Sequence, residues 1–583
     1  MPRESDTTNA AAAPGGWASV AAVIAMLAIF AAAGAWPVPD VNETAYLTKA
    51  RHECDPSWGR GDFFLETPEA HGVFYRLIGP LAAAVPLERA AWIGRWLGWL
   101  ALAAGFHHAI VPLVPGWWPR VLAAAVYSLA LRHTTAAGEW VIGGCEAKVF
   151  AWALVLGAAG EVARGRFAWA WLVLGAATAF HPLVGGWGLV AVAAAWGWSA
   201  AVGRDTSEAS GDTATGDAGA AVGRAAGGGP ALTAGLLLGG VALAAAGVVP
   251  ALGLSAGADA ATRAAAVKIY VVERLPHHLL VRTFADGMVA RHVLAILVWW
   301  LLAAILSVRG GPQAAARARL GRFTLAALSI SLAGCLISLA EPAAPGAVYG
   351  LLRYYWFRFG EGLLPLALAA TAAAAIADDA VLGRLLPGRG PALRGRTVAA
   401  VRGAVALLLL LDLVGESRHW PLPGRSSPSP RSDGKVDAGS WRDACDWAAA
   451  NTPADACFLT PRGSASFTWW TGRREVVGWK NSPQDAVSLV EWRRRIADCF
   501  SRDGGFSNME RSTAVLGAGR MRLVADRYGA DHAIVPADLP MLAELPFERL
   551  YANRGYAIYR LAPPGGTSPA PAGAAAAPPG SPP

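Results

Sequence analysis

The chain has 583 residues, 54% hydrophobic and 16% charged, with 25 Trp and a mean hydropathy of +0.36. So little charge among repeated apolar runs excludes an ordinary soluble protein and predicts a polytopic α-helical membrane protein. The net charge of +8 comes from basic residues in short groups between apolar segments, which suits topology control and argues against nucleic acid as a partner.

Residues 1–16 are expected to form a cytoplasmic tail, and the apolar run at 17–36 is long enough to cross a bilayer. Its ending "AAAGAW" also fits a signal-peptide cleavage site. The run exceeds the usual signal core, however, and Arg3 is offset by Glu4 and Asp6, which favours a retained anchor. A loop at 37–89 follows, with a short apolar stretch at 73–86 that predicts an interfacial or re-entrant helix.

Further spans are expected near 90–115, 119–135, 146–162, 167–181, 186–203, 231–253, 291–308, 323–340, 362–377 and 397–415, about eleven in all. They are rich in Ala and Gly, which allows close packing in lipid. Arg164 and Arg166, then Arg204 and Arg224, then Arg309, Arg317, Arg319 and Arg322, then Arg384, Arg389, Arg394 and Arg396 fall in alternate loops. With basic residues retained inside, this gives an N-in, C-out topology in a bacterial inner membrane.

The bundle thus occupies 17–415, with 204–230 as a disordered inner loop, 416–439 as a linker and 563–583 as a disordered Pro/Ala/Gly tail. Between linker and tail, residues 440–562 predict a small extracytoplasmic α/β domain with its own core. Ser440 is the expected cap of its first helix. "ACFLTP", "REVVGW", "DHAIVP" and "YAIYRL" read as strands, with helices around 484–499 and 511–529. The six Cys show no CxxC spacing, so neither a zinc site nor a disulfide framework is expected. Cys445, Cys457 and Cys499 can supply one bridge in an oxidising compartment.

This topology gathers the unusual polar motifs on the outer side. "PDVNETAYLTKARHECDP" (39–56) holds Asp40, Glu43, Lys49, Arg51, His52, Glu53 and Asp55, followed by Asp62, Glu66, Glu69 and His71. "GEWVIGGCEAK" brings Glu139, Glu146 and Lys148, and "AFHPLVGGW" brings His181. "ERLPHHLLVR" brings Arg274, His277 and His278, and "LLRYYWFRFGE" brings Arg353, Arg358 and Glu361. Ionisable groups near membrane depth are costly and usually face a protein-lined cavity, so an outer-facing site is implied. Each motif also has a plain structural reading. The carboxylates suit a solvated loop, the His pair an interfacial turn, His181 a helix end, and Arg353 and Arg358 the lipid headgroups beside Tyr354, Tyr355 and Trp356. Arg95, His107 and His108 read as structural. "NET" (42–44) matches a glycosylation acceptor, but the Ala/Gly/Arg-rich style is bacterial and discounts it.

An N-terminal span, a first outer loop opening with carboxylates, an interfacial helix, many spans and a terminal α/β domain together resemble the GT-C glycosyltransferase superfamily. "NETAYLTKA" is similar to the "DE-x-x-Y-L" pattern of that loop. "GGCEAKVFAW", "RLPHHL", "YYWFR" and "WKNSPQDA" resemble a bacterial membrane-protein family without assigned function. The resemblance implies a polyprenyl-phosphate-linked sugar as donor and a glycan or protein acceptor. It implies Glu43 as catalytic base with Asp40 as helper. Asn42 stands where the family often has Asp, which makes a divalent metal cofactor less expected, though still open. For the lipid phosphate the resemblance implies Arg353 and Arg358, with Arg274, His277, His278, Lys148, Glu146 and His181 as further substrate-binding candidates.

Two other functions stay open. A lipid or glycan transporter or flippase would need repeat symmetry and polar groups at mid-membrane. A non-catalytic scaffold would use the C-terminal domain, where Trp469, Trp470, Trp479, Arg473, Arg474 and Lys480 can grip a glycan or peptide or else pack the domain's own core.

Overall fold

The computed structural model describes residues 16–209, 229–385, 391–422, 437–540 and 545–561. The expected N-terminal tail, most of the 204–230 loop, most of the linker and the C-terminal extension lie outside these residues. Within them the chain is mostly helical with one small sheet.

Chain order runs α1 (Gly16–Gly34), α2 (Glu43–Cys54), α3 (Gly72–Ala84), α4 (Leu87–Ile110), α5 (Trp117–His133), α6 (Ala147–Arg164), α7 (Phe167–Phe180), α8 (Pro182–Ala209) and α9 (Pro230–Gly253). It continues with α10 (Ala260–Lys268), α11 (Pro276–Leu279), α12 (Asp286–Arg309), α13 (Ala314–Leu339), α14 (Pro345–Leu352), α15 (Arg358–Ala377), α16 (Asp379–Leu385) and α17 (Pro391–Glu416). The described residues fall into two compact units. The first draws on Met1–Trp36, Ala70–Phe74 and Ala91–Ser427, the second on Pro37–Glu69, Tyr75–Ala90 and Pro428–Pro583. The 37–89 loop, expected to belong with the bundle, therefore contributes mainly to the second unit.

In the first unit, seven helices among the described residues are long and apolar enough to cross a membrane: α1, Pro182–Val202 of α8, α9, α12, α13, α15 and the segment Gly395–His419. This is the make-up of a multi-pass membrane protein. The other four expected spans also form helices, α4 to α7, but these are shorter or richer in charge. α7 has 14 residues, and α6 carries Lys148, Glu161 and Arg164. α8 continues as helix to Ala209, past the expected start of a disordered loop at 204, because Ala, Arg and Glu propagate an already nucleated helix.

Small residues set the packing. A Cβ at Gly175 of α7 would lie 2.2 Å from the Gly240 carbonyl oxygen of α9, so these backbones touch where any larger residue would force them apart. On α15, Gly362 leaves room for the Trp152 ring, which stacks on Phe359 with centroids 5.7 Å apart. Both aromatic side chains are fully buried in the main core.

The second unit contains α18 (Ala438–Asn451), β1 (Cys457–Leu459), α19 (Phe467–Thr471), β2 (Arg474–Glu475), α20 (Ala486–Phe500), α21 (Ala518–Tyr528), β3 (His532–Pro536), β4 (Glu548–Ala552) and β5 (Tyr556–Arg560). The sheet order is β2-β1-β3-β5-β4, with β1 parallel to β2 and β3, and β5 antiparallel to β3 and β4. Trp441, Cys445, Phe458, Phe467, Ile534, Tyr556 and Ile558 form the core between helix and sheet.

The expected helix cap, Ser440, is corrected here. The α18 cap is Asp437, whose Oδ1 accepts the Ser440 N–H at 2.9 Å; Ser440 lies inside the helix. No bridge joins Cys445, Cys457 and Cys499, which are all buried free thiols, and burial pushes Cys457 up to about 12. Of the two readings open for the Trp and Arg residues, grip or packing, the packing one describes Trp469, Trp479 and Arg473. Trp469 is buried, Trp479 lies 5.5 Å from Trp492, and Arg473 donates to the carbonyls of Ala449 and Thr452. β4 is a strand with no counterpart in the sequence reading.

Candidate functional site

In the second unit, α2 begins at Glu43, directly after Asn42, which gives no side-chain cap. The turn is closed instead by Glu43, whose Oε2 accepts the Asp40 N–H at 2.7 Å, while Asp40 Oδ1 accepts the Val41 N–H at 2.7 Å. The three-residue reach-back is like that of a capping box, but Glu43 is the first residue of α2 and Asp40 stands two residues before the N-cap Asn42. Both carboxylates are fully buried. An acid pair out of water at the start of the first loop can hold and move a proton, provided an acceptor hydroxyl reaches it.

The rest of the opening charge cluster packs the loop. Lys49 donates to the Thr67 carbonyl at 2.5 Å and pairs with Glu69 at 3.4 Å, and burial lowers the ammonium while raising the Glu69 carboxyl. Arg51 lies over the Trp58 ring, and His52 Nδ1 is 2.8 Å from the Trp58 carbonyl. Asp62 accepts the N–H groups of Phe64 and Leu65 on one oxygen and that of Glu475 on the other, each at 3.0 Å. Burial nonetheless raises the Asp62 carboxyl.

In the first unit a second set of ionisable groups converges. Arg358, at the start of α15, pairs with Glu139 Oε2 at 2.8 Å. Lys148 lies 3.8 Å from the other Glu139 oxygen, 4.0 Å from Glu146 and 3.2 Å from the centroid of the Trp140 ring. Two cations thus face two carboxylates with little exposure, an arrangement that burial requires. His181 and His71 lie with ring centroids 4.9 Å apart and tilted by 32°, and His181 is within the electrostatic reach of Arg358 and Lys148.

His278 donates from Nδ1 to the Ala137 carbonyl and is lowered to about 3 by burial, with His277, Arg358 and Lys148 adding to the shift. The ring is neutral at pH 7. Tyr355 supplies the face on which Arg358 rests, 3.9 Å from the centroid, and holds a left-handed backbone (φ 53°), a costly conformation for an aromatic residue. The 136–139 loop is fixed by Glu361, which accepts the N–H groups of Ala136, Ala137 and Glu139.

Of the sequence-derived candidates, the first unit therefore brings together Glu146, Lys148, His181, His278 and Arg358. Arg274 lies within electrostatic reach of Tyr355 and Tyr270. His277 lies beside His278, centroids 4.1 Å apart and tilted by 45°, but is exposed, and Arg353 lies over the exposed Tyr354. Asp40 and Glu43 belong to the second unit. Tyr355, Trp140 and the anchoring role of Glu361 were missed. "YYWFRFGE" holds two of them, but a left-handed tyrosine leaves no mark in composition.

Among the described residues no three of His, Cys, Asp and Glu come close enough to hold a metal ion.

Residues 439–499, comprising α18 to α20, match a family model described as a domain of unknown function, DUF6798. No curated protein matches the chain.

Proposed function

We propose that this multi-pass membrane protein is a glycosyltransferase that moves a sugar from a polyprenyl-phosphate-linked donor to an extracytoplasmic acceptor, with Glu43 as base. The observation that carries the reading is the fully buried Asp40–Glu43 pair at the head of the first helix after α1. In the reaction an acceptor hydroxyl gives its proton to the Glu43 carboxylate while its oxygen bonds to the anomeric carbon. The bond from that carbon to the phosphate oxygen breaks, and the polyprenyl phosphate leaves with the electron pair. The resemblance to GT-C enzymes supports this assignment. The ionic cluster around Arg358 supports a role in orienting an anionic group, although Glu139 already engages that guanidinium.

Glu43→Gln keeps an oxygen able to accept the Asp40 N–H, so the turn survives while the base is lost. In membranes given radiolabelled polyprenyl-phosphate sugars and an acceptor extract, transfer by the variant is expected to fall by roughly 10²- to 10⁴-fold at unchanged protein level. Full transfer by Glu43→Gln would remove Glu43 from the mechanism.

A further inference from the structure

A cleft of about 370 Å³ opens among α8, α12, α13 and α15 in the first unit. Trp198, Trp299, Trp300 and Leu325 wall it, and Arg317 and Arg322 enter it from the N-terminal turns of α13. Its α13 wall runs from Ala314 to Leu325, about 16 Å along the helix axis. Arg317 arises about 4.5 Å and Arg322 about 12 Å along this wall, so two guanidinium groups stand among a lining that is otherwise mostly apolar and aromatic. Trp198 and Trp300 are 46% and 64% exposed on helices long and apolar enough to cross a membrane, so the cleft opens where lipid would lie.

Among the described residues neither arginine has an acidic partner within ion-pair distance. Arg322 donates to the Ser199 hydroxyl at 3.2 Å, and Arg317 to the carbonyls of Leu113 and Gly310 at 3.2 and 3.3 Å. A guanidinium carries five N–H donors in a fork that matches phosphate oxygens, so both keep donors to offer.

We propose that this cleft binds an anionic phospholipid of the surrounding membrane, with the headgroup phosphate at Arg317 and Arg322 and an acyl chain along Trp198, Trp299 and Trp300. Charge complementarity selects this occupant. Asp378 acts electrostatically on Arg317 without pairing with it; a neutral lipid brings no counter-charge to Arg322, and free phosphate leaves the aromatic wall bare. The site is separate from the groups around Arg358 and does not depend on the transferase reading.

The test is native mass spectrometry of the full-length protein titrated with phosphatidylglycerol or with phosphatidylcholine of the same chains. The wild type is expected to retain phosphatidylglycerol roughly tenfold better or more. Arg317→Gln/Arg322→Gln should abolish that preference, the Lys pair should keep it, and inorganic phosphate should not compete. Gly321→Leu should exclude both lipids, since a side chain there enters the cleft with its nearest neighbour, Trp299, 4.0 Å from the Cβ. If the double Gln variant is not monodisperse, Arg322→Gln alone gives the same reading. Equal retention of the two lipids by the wild type, or undiminished preference in a folded Gln variant, would overturn the proposal, as would displacement by phosphate alone.

Discussion

At the scale of single residues, burial decides what each ionisable group can do. His278 is held neutral because its ring is largely withdrawn from water, near Arg358 and Lys148, while Nδ1 keeps its proton for the Ala137 carbonyl. In the unfolded chain the same ring titrates at the ordinary 6.5, so the unfolded state binds a proton that the folded state refuses. Stability from this residue is complete above that value and is lost as pH falls from 6.5 toward about 3. Thermal unfolding measured from pH 7 to 4.5 should show a shallower acid loss in His278→Gln than in the wild type, and coincident profiles would contradict a neutral buried ring. The identity of these residues was legible in the sequence, since His278, Arg358, Lys148 and Glu146 all stood out as polar groups at helix ends. Which of them pair was not legible. Glu139 and Glu361 are ordinary acids until the 136–139 loop brings one to Arg358 and folds the backbone over the other.

At the scale of elements, local signals served where the chain satisfies its own backbone and failed where a distant segment does so. Every expected span became a helix, because period and length suffice to specify one. β4 went unseen because "ERLYA" lacks a strong apolar pattern and is strand only through pairing with β5. The 59–66 loop is a further case. Asp62 ties it to β2 through the Glu475 N–H, a contact across 413 residues of sequence. Asp62→Asn must either turn its amide toward that N–H or surrender the Phe64 and Leu65 contacts, and one buried donor then goes unsatisfied. A loss of roughly 1–3 kcal/mol is expected, measured as a lower midpoint in chemical or thermal unfolding. An unchanged midpoint would mean that water replaces the tether.

At the scale of the whole molecule, the second unit is assembled from segments at both ends of the sequence. Residues 437–561 hold the sheet and its core, yet Asp62 contacts Glu475, Phe63 lies under Arg495 at 4.1 Å, and Trp58 lies close against Gly472. Expressed alone, 437–561 should therefore be poorly soluble or broadly unfolding. Co-expression with 37–90 should restore a cooperative transition, and a sharp transition in the isolated segment would show those contacts to be dispensable. The arginines at the adjoining ends of α12 and α13 and those around α16 favour cytoplasmic placement of that end, so the transferase reading expects a C-terminal phosphatase reporter to be active and a cytoplasmic fluorescent reporter dark. The opposite pattern would place the second unit inside and remove it from an extracytoplasmic reaction. By itself, the sequence determined that the chain is a helical membrane protein, roughly where its helices lie and where a small α/β domain follows, because hydropathy and periodicity are properties of neighbouring residues. Only the tertiary structure decided that the first loop joins the C-terminal segment, that Glu139 and Glu361 fix the surroundings of Arg358, and that two arginines open onto an aromatic cleft. Those contacts link residues tens to hundreds of positions apart, and burial, which sets their energies, exists only once the chain has folded.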